Sequence, residues 1–145
     1  MLSRRTKYAI HSLLTLAAEP ARAVGTAELQ DRCGGSRPYL EAVLSTLARE
    51  GLILSIRGRA GGFRLGRAAE DISFADVIRV FDGPLALAPC ASQTRPGPCK
   101  DCIDPVACAI RPALVEARDQ VATVLERTTL AAALGNQALS VISLS

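Results

Sequence analysis

The chain has 145 residues, a length typical of one domain, and 49% of them are apolar, which is enough to bury a core. Its net charge of +3 conceals two unlike halves: residues 1–66 carry ten basic and five acidic side chains, and residues 67–145 carry seven basic and nine acidic ones. No apolar run approaches the roughly 20 residues of a membrane-spanning helix, and no paired acid and base or phosphate-cradling loop is visible, so neither a membrane protein nor an enzyme is indicated.

The first predicted element is a helix over about residues 4–18, which ends before a turn containing Pro and Gly. Its basic start, with Arg4 and Arg5, resembles a twin-arginine export signal. Polar residues between positions 11 and 15, however, leave the apolar ones at helical spacing, so we predict a core helix and a cytoplasmic protein. Because the cytosol keeps thiols reduced, five cysteines favour metal binding or redox sensing over a disulfide scaffold.

Two further helices and a hairpin follow. Thr26 is placed to cap a short second helix, and Ser36 a third that carries an apolar stripe. Residues 52–56 and 63–65 are predicted as two strands around a glycine-rich turn. Three helices followed by a basic hairpin form the winged helix-turn-helix arrangement, so we predict a mainly α fold with a two-stranded β wing. The stripe of the third helix consists of Leu40, Val43, Leu44 and Leu47.

The basic half of the chain predicts contact with a polyanion. In a winged helix-turn-helix domain, the amino-terminal residues of the recognition helix enter the major groove. Wing glycines let the backbone approach the duplex, and wing arginines neutralise phosphates. A solvated basic face and a protein-binding winged helix are the alternatives. The predicted DNA-contacting residues are Ser36, Arg37, Tyr39 and Glu41 of the third helix, Arg57, Arg59, Gly61, Gly62 and Arg64 of the wing, and Arg4 and Arg5 near the amino terminus.

Beyond the hairpin, Ser73 and Asp76 form a capping-box pattern that begins a connecting helix. A cysteine-rich loop follows, in which Asp104 is placed to cap a short helix. From Pro112 onward, apolar residues alternate at spacings of three and four, as in a coiled-coil seam, and we predict a long helix that dimerises. A helix packed on its own domain is the alternative. The seam comprises Leu114, Ala117, Val121, Val124 and Thr128.

The cysteine loop has the sequence CASQTRPGPCKDCIDPVACAIRP, which is too poor in large apolar side chains to pack a core of its own. Four thiolates at C-x8-C-x2-C-x5-C spacing suffice for a complete metal site. Zinc accepts four tetrahedral thiolates and an iron–sulfur cluster also takes four, so spacing alone does not choose between them. A metal-free switch, in which two thiols form a disulfide, is the third option. The candidate ligands are Cys90, Cys99, Cys102 and Cys108.

Four segments, in this order, carry a resemblance to a known family: TKYAIHSLLTLA, SRPYLEAVLSTLAREGLILSIRGRAGGFRL, ISFADVIRVFDGP, and the cysteine loop followed by a helix. Over about residues 1–134 the chain resembles the bacterial IscR/NsrR/RirA-type winged-helix regulators of the Rrf2 family. The resemblance implies a dimeric transcription factor, usually a repressor, in which an iron–sulfur cluster reports iron, redox state, oxygen or nitric oxide. It also supports Ser36, Tyr39, Glu41, Arg57 and the wing glycines as DNA-contacting positions.

The cysteine loop departs from the pattern of these relatives, which commonly supply three cysteines. Here there are four, and only the interval between Cys102 and Cys108 keeps the usual five-residue gap. Arg111 stands where some relatives carry a ligating histidine. His11 of the first helix is a minor candidate ligand, and Cys33 is interpreted as an incidental small residue. Four thiolates favour a 4Fe–4S cluster slightly over 2Fe–2S.

We therefore predict a homodimeric, iron–sulfur-responsive repressor that binds double-stranded promoter DNA at a dyad-symmetric operator. A zinc- or dithiol-based regulator of the same fold is the alternative within this class. A small iron–sulfur electron-transfer or cluster-handling protein is the alternative of another class. The predicted division of the chain is a DNA-binding domain at 1–66, a connecting helix at 67–83, a sensor loop at 84–111, a dimerisation helix at 112–134 and a flexible tail at 135–145.

Overall fold

The computed structural model describes residues 2–143, which form a mainly helical protein with one antiparallel hairpin. The hairpin lies between the third and fourth helices, and two single-turn 3-10 helices lie in the connections. The elements are α1 (Arg4–Ala18), α2 (Thr26–Cys33), α3 (Arg37–Arg49), β1 (Ile53–Ile56), β2 (Gly62–Leu65), α4 (Phe74–Phe81), α5 (Arg111–Arg127) and α6 (Leu130–Ser143), with 3-10 turns at Ala69–Asp71 and Pro89–Ala91.

Helix α1 covers its predicted span and packs against α2, α3, α4 and α6. Ser3 caps it, since the Ser3 hydroxyl accepts a hydrogen bond from the Thr6 amide at 3.2 Å. Its amino end is also tied to the end of α4, because Asp82 accepts hydrogen bonds from the Ser3 amide at 3.0 Å and the Thr6 hydroxyl at 2.7 Å. Burial acts to raise the pKa of Asp82, but these hydrogen bonds outweigh burial and hold that pKa below its usual value.

Helices α2 and α3 and the hairpin form the predicted winged helix-turn-helix. The apolar stripe of α3 is fully buried, as predicted, and Ser36 occupies the cap position although its side chain makes no capping hydrogen bond. The prediction that Thr26 caps α2 is wrong. Gly25 is the cap and Thr26 is the first helical residue, because the Gly25 carbonyl already accepts a helical hydrogen bond from the Leu29 amide at 3.0 Å.

A third extended segment anchors the wing to the helical body. Strands β1 and β2 pair from Ile53 opposite Leu65 to Ile56 opposite Gly62. Beyond this pairing, Phe63 exchanges two backbone hydrogen bonds, of 2.8 and 2.9 Å, with Val24 in the connection between α1 and α2. The base of the wing is therefore fixed on both sides, and the exposed tip projects from it.

Helix α4 begins with the predicted capping box. The Ser73 hydroxyl accepts from the Asp76 amide at 3.1 Å, and the Asp76 carboxylate accepts from the Ser73 amide at 3.0 Å. This cap directs α4 so that Ala75, Val77 and Ile78 are buried.

The long helix predicted over 112–134 is in fact two helices, because the chain turns at Thr128 and Thr129. The Phe74 amide donates to the Thr128 carbonyl, and the Leu130 amide donates to the Ile72 carbonyl, both at 2.9 Å. Leu130 is completely buried, so α6 starts inside the core and returns to α1. These bonds join segments more than fifty residues apart in sequence, which is why local spacing did not predict the break.

Residues 135–143, predicted as part of a flexible tail, belong to α6, and residues 144 and 145 lie outside the described part of the chain. A composition rich in Ala and Leu favours this helix. The short helix predicted after Asp104 is absent from the described structure: residues 104–110 form turns, in which the Asp104 carboxylate accepts from the Val106 amide at 2.9 Å. Among residues 2–143, no helix is long and apolar enough to span a membrane.

Candidate nucleic-acid interface and cysteine segment

Aromatic side chains pack the first turn of α3 against the amino end of α1. The Tyr8 and Tyr39 rings meet edge to face with their centroids 5.3 Å apart, and the Arg4 guanidinium carbon lies 5.8 Å from the centroid of the Tyr39 ring. Gly35 makes room for Tyr8, because a side chain at this position would overlap the tyrosine hydroxyl. Two of the predicted contact regions, around Arg4 and at the start of α3, are thus brought together.

Arg37 and Glu41, two of the predicted DNA-contacting residues of α3, bind each other. Arg37 Nε lies 2.9 Å from Glu41 Oε1, one helical turn away, and the side chains are 61% and 53% exposed. Ser36 is exposed beside them. An exposed pair of this kind contributes at most about 1 kcal/mol, so it opens readily toward a base or a phosphate.

All three predicted arginines of the wing are exposed, and two of them have no carboxylate partner among the described residues. Arg57 and Arg59 are exposed at the tip, and no carboxylate within the described residues pairs with either. Arg64 differs, because its guanidinium donates a hydrogen bond to the Ala21 carbonyl and so fastens β2 to the turn after α1. A phosphate contact by Arg64 stays a prediction, and its structural role was not visible in the sequence.

Two wing glycines, which were predicted to allow close approach of a duplex, are required by close contacts with the protein's own backbone. A side chain at Gly61 would overlap the Ile56 carbonyl oxygen, and one at Gly62 would overlap the Val24 carbonyl oxygen. Gly62 also has a φ of +144°, which residues with side chains rarely adopt. Both glycines are needed to build the wing, whatever they contact beyond it.

We expect Gly62→Ala to lower the free energy of unfolding by about 2 kcal/mol, because the new methyl group strains the backbone and pushes β2 away from Val24. Urea denaturation measures the change. Gly58→Ala is the matched control: Gly58 has a φ of +110°, but nothing lies within 4 Å of the position that a methyl group would take there, so only strain is added. Equal losses in the two variants would contradict the importance of the Val24 contact.

The turn that carries Cys90 is held by two arginines of α5. Arg118 donates to the Ala91 carbonyl at 2.6 Å, and Arg111 Nε donates to the Cys90 carbonyl at 3.4 Å. The Arg111 amide also donates to the Cys108 carbonyl at 3.3 Å. The first and last cysteines of the segment are therefore both attached to the start of α5.

The chain between Cys90 and Cys99 turns back toward the Cys90 turn. The Gly97 amide donates to the Pro89 carbonyl at 3.2 Å, which closes a loop and brings the following residues beside the Cys90 turn. The interaction with Cys99, followed by burial, raises the pKa of Cys90 against the opposing charge of Arg111. A further turn is closed by the hydrogen bond from the Cys102 amide to the Cys99 carbonyl at 3.2 Å.

The cysteine segment supplies the right donors for a metal centre, and all four thiols are partly buried. In the described conformation, however, no three His, Cys, Asp or Glu side chains of residues 2–143 converge as a ready-made site. Residues 99–108 are open to solvent, with Ile103 and Val106 almost fully exposed, so little packing resists closure. The donor set thus fits an all-thiolate centre, and the loop must close to bind it.

Residues 2–136 match the Rrf2 family, described as iron-dependent transcriptional regulators. The chain belongs to this family. It is 40% identical to a putative rrf2-like HTH-type transcriptional regulator of Rhodobacter capsulatus. The 120 aligned residues cover 80% of each chain.

Two solved structures have the same fold. The chain is similar to CymR, the global cysteine regulator of B. subtilis, with a TM-score of 0.77 and 28% identity over 94% of this chain and 97% of that one. It is also similar to T. potens IscR, with a TM-score of 0.74 and 25% identity over 94% and 88%. The predicted fold class is confirmed, and the protein is a transcriptional regulator rather than an enzyme or an electron carrier.

His11, the minor candidate ligand, and Cys33, the residue interpreted as incidental, lie in the helix-turn-helix of the Rrf2 protein. His11 and Cys33 line a shallow cavity of about 320 Å³ together with Arg4, Lys7 and Tyr8. The Cys33 thiol lies 3.7 Å from the Ser12 hydroxyl, and burial raises the pKa of Cys33. Both residues therefore belong to the packing and surface of the helix-turn-helix.

Proposed function

We propose that this Rrf2-family protein is a homodimeric repressor that binds a dyad-symmetric promoter operator and that an iron–sulfur cluster in the cysteine segment controls this binding. The observation that carries the proposal is the attachment of the Cys90 turn to α5 by Arg111 and Arg118. Through it, a change in the cysteine segment acts on the helix that we expect to join two protomers.

Exposed basic residues support the DNA-binding part of the proposal. Arg57 and Arg59 are unpaired among the described residues, Arg4 is held beside the first turn of α3, and Arg37 has only a weak exposed partner. Phosphates attract such cations because binding releases condensed counterions. A protein-binding winged helix would not need this concentration of arginine.

The surface of α5 supports the dimer. Ala122 is its only buried residue within the described chain, while Val121 and Val124, both 46% exposed, leave part of the predicted seam uncovered. An apolar groove of about 380 Å³, lined in part by Leu2, Leu87 and Leu125, adjoins them. A second copy packed here would bury these valines and set two recognition helices about one DNA turn, roughly 34 Å, apart.

The four thiols support an iron–sulfur cluster as the sensed group, with Cys90, Cys99, Cys102 and Cys108 as its ligands. A bound cluster is an oxidisable centre whose loss releases the thiolates. Binding it requires residues 99–108 to close on the Cys90 turn, which would draw the start of α5 with them. Four thiolates favour 4Fe–4S over 2Fe–2S, and zinc is the alternative that the same ligands accept.

We expect Arg118→Ala to uncouple the cysteine segment from α5. The substitution leaves the Ala91 carbonyl without its donor and lowers the free energy of unfolding by about 1–2 kcal/mol. Iron content should persist, whereas the ratio of DNA affinities with and without the cluster should fall toward one. Arg127→Ala, which removes an exposed arginine at the end of the same helix, is the control. An unchanged ratio in Arg118→Ala would contradict this route of coupling.

Anaerobic purification followed by iron, sulfide and zinc analysis tests the cofactor. A duplex selected from a random-sequence library then serves as the probe, because its sequence also reveals whether two half-sites are required. We expect cluster-loaded and cluster-free protein to differ in affinity for this duplex by about 5- to 150-fold. Equal affinities would overturn the proposed control, and zinc in place of iron would favour the alternative centre.

A further inference from the structure

We propose that the cavity beside the first half of α1 binds one backbone phosphate of the operator and that Lys7 and His11 hold this phosphate. The inference rests on the proposed DNA binding and deepens it, because it names a contact surface outside the recognition helix and the wing. It also gives His11 a role different from the metal ligation considered from the sequence. The α1 cavity is the space of about 320 Å³ lined by Arg4, Lys7, Tyr8, His11 and Cys33.

The charge that lines the α1 cavity is of one sign. Arg4 and Lys7 are cationic, His11 supplies a ring nitrogen, and no acidic side chain lines the cavity. The three residues follow one another at spacings of three and four, so one face of α1 presents them all. Each is exposed, and none pairs with a carboxylate among residues 2–143. The cavity thus carries positive charge that no described carboxylate neutralises, which suits an anion and disfavours a metal ion.

The α1 cavity adjoins the start of the recognition helix. Tyr8 lines the cavity, and its ring meets that of Tyr39 in the first turn of α3 with 5.3 Å between the centroids. Arg4 also lines the cavity, and its guanidinium carbon lies 5.8 Å from the centroid of the Tyr39 ring. The helix before a recognition helix crosses the DNA backbone, and here that helix, α2, ends at Cys33 on the cavity wall. A duplex seated on α3 would therefore place a backbone phosphate beside the cavity.

A phosphodiester group matches the donors that the α1 cavity offers. It carries one negative charge and two free acceptor oxygens, and the Lys7 ammonium group has three N–H donors and the His11 ring at least one. Free phosphate ions share this chemistry. We assign the cavity to the DNA backbone because Tyr8 and Arg4 make it continuous with the first turn of α3. Phosphate contacts carry no sequence information, so this site would strengthen binding to every duplex alike.

Lys7→Ala should weaken binding to the selected duplex about 10-fold at moderate salt, because a dimer loses two phosphate contacts. The slope of log affinity against log salt should become shallower by about two. A scrambled duplex of the same length should lose affinity by the same factor, since the contact reads no base. His11→Ala should also weaken both duplexes by a common factor. Both side chains are exposed and alanine favours a helix, so the fold is kept.

Methylphosphonate substitution identifies the phosphate itself. Each backbone phosphate of the selected duplex is replaced in turn by a neutral methylphosphonate, in both half-sites at once, and affinity is measured with the wild type, Lys7→Ala and His11→Ala. At the contacted position, the replacement should weaken the wild type about 10-fold and each variant clearly less, because one partner is already gone. If no position couples, or if Lys7 and His11 couple to different phosphates, the inference is overturned.

Arg49→Ala is the matched control. Arg49 is exposed in the last turn of α3 and lies outside the α1 cavity. Affinity and salt slope should stay close to those of the wild type, and a loss equal to that of Lys7→Ala would mean an effect of net charge and overturn the inference. Titration with inorganic phosphate provides a second arm. Saturable binding that is lost in Lys7→Ala, without any coupled methylphosphonate, would assign the cavity to a free anion and likewise overturn the inference.

These outcomes separate the inference from the proposed function, provided that all samples have the same cofactor content. If Lys7→Ala and His11→Ala bind every duplex as the wild type does, whereas the combined alanine variant of Arg57 and Arg59 does not, the α1 cavity is no phosphate site and the proposed DNA binding stands. If the wild-type protein selects no duplex at all, the proposed function falls, and this inference falls with it.

Discussion

Replacing Arg57 and Arg59 together with alanine is expected to weaken binding to the selected duplex roughly 100-fold or more at moderate salt. The two side chains are exposed at the wing tip and pair with no carboxylate of residues 2–143, so their charges are available to phosphates. A dimer loses four cations in this variant, and the slope of log affinity against log salt should become shallower by about four. Fluorescence anisotropy over a series of salt concentrations measures both quantities.

A variant with the same change of charge elsewhere provides the control. Arg95→Ala combined with Arg127→Ala removes two exposed arginines outside the wing and the first turn of α3, and the Arg95 amide keeps its hydrogen bond to Ser92. Its affinity and salt slope should stay close to those of the wild type. If the two double variants lost equal affinity, the effect would be one of net charge and the wing would not be the contact.

The second large effect is expected at the last cysteine of the segment. Cys108→Ser should lower iron and sulfide to background after anaerobic reconstitution, because a hydroxyl is a poor replacement for a thiolate ligand. Its affinity for the selected duplex should then equal that of the cluster-free wild type under all conditions. Cys108 is suited to this test because its carbonyl, not its thiol, bonds to the Arg111 amide, so the substitution keeps the local fold.

The fifth cysteine offers a matched control for this experiment. Cys33→Ser removes a thiol of the helix-turn-helix, and a hydroxyl there can keep the contact with Ser12. Iron content and cluster-dependent DNA binding should be unchanged. Full iron content in Cys108→Ser, or its loss in Cys33→Ser, would contradict the ligand set proposed for the segment.

Local patterns predicted much of the helix-turn-helix, because its elements obey rules that act within a few residues. The bounds of α1 follow from apolar periodicity and a following turn, the stripe of α3 from its spacing, and the start of α4 from the reciprocal bonds of Ser73 and Asp76. Family motifs then led to the regulator class, which the match over residues 2–136 confirms.

Long-range backbone contacts account for what the sequence did not predict. The break after α5 depends on bonds of Thr128 and Leu130 to the segment before α4, and the anchoring of the wing depends on Val24. Arg64 was predicted as a phosphate contact because its charge is visible in the sequence, whereas its bond to the Ala21 carbonyl is not. The closure of the loop after Cys90 likewise depends on the bond from the Gly97 amide to the Pro89 carbonyl, which no spacing rule indicates.

The buried position of Leu130 bears on how this protein can be dissected. The Leu130 amide bonds to the Ile72 carbonyl, and its side chain is buried in the core with residues far earlier in the chain. The core of the proposed DNA-binding domain is therefore complete only when α6 is in place. A fragment cut after the wing would expose that core to water and lose the bonds at Ile72 and Phe74. The winged helix-turn-helix and the carboxy-terminal helices therefore depend on one shared core. Substitutions in the intact chain are a sounder way to separate their roles than truncation.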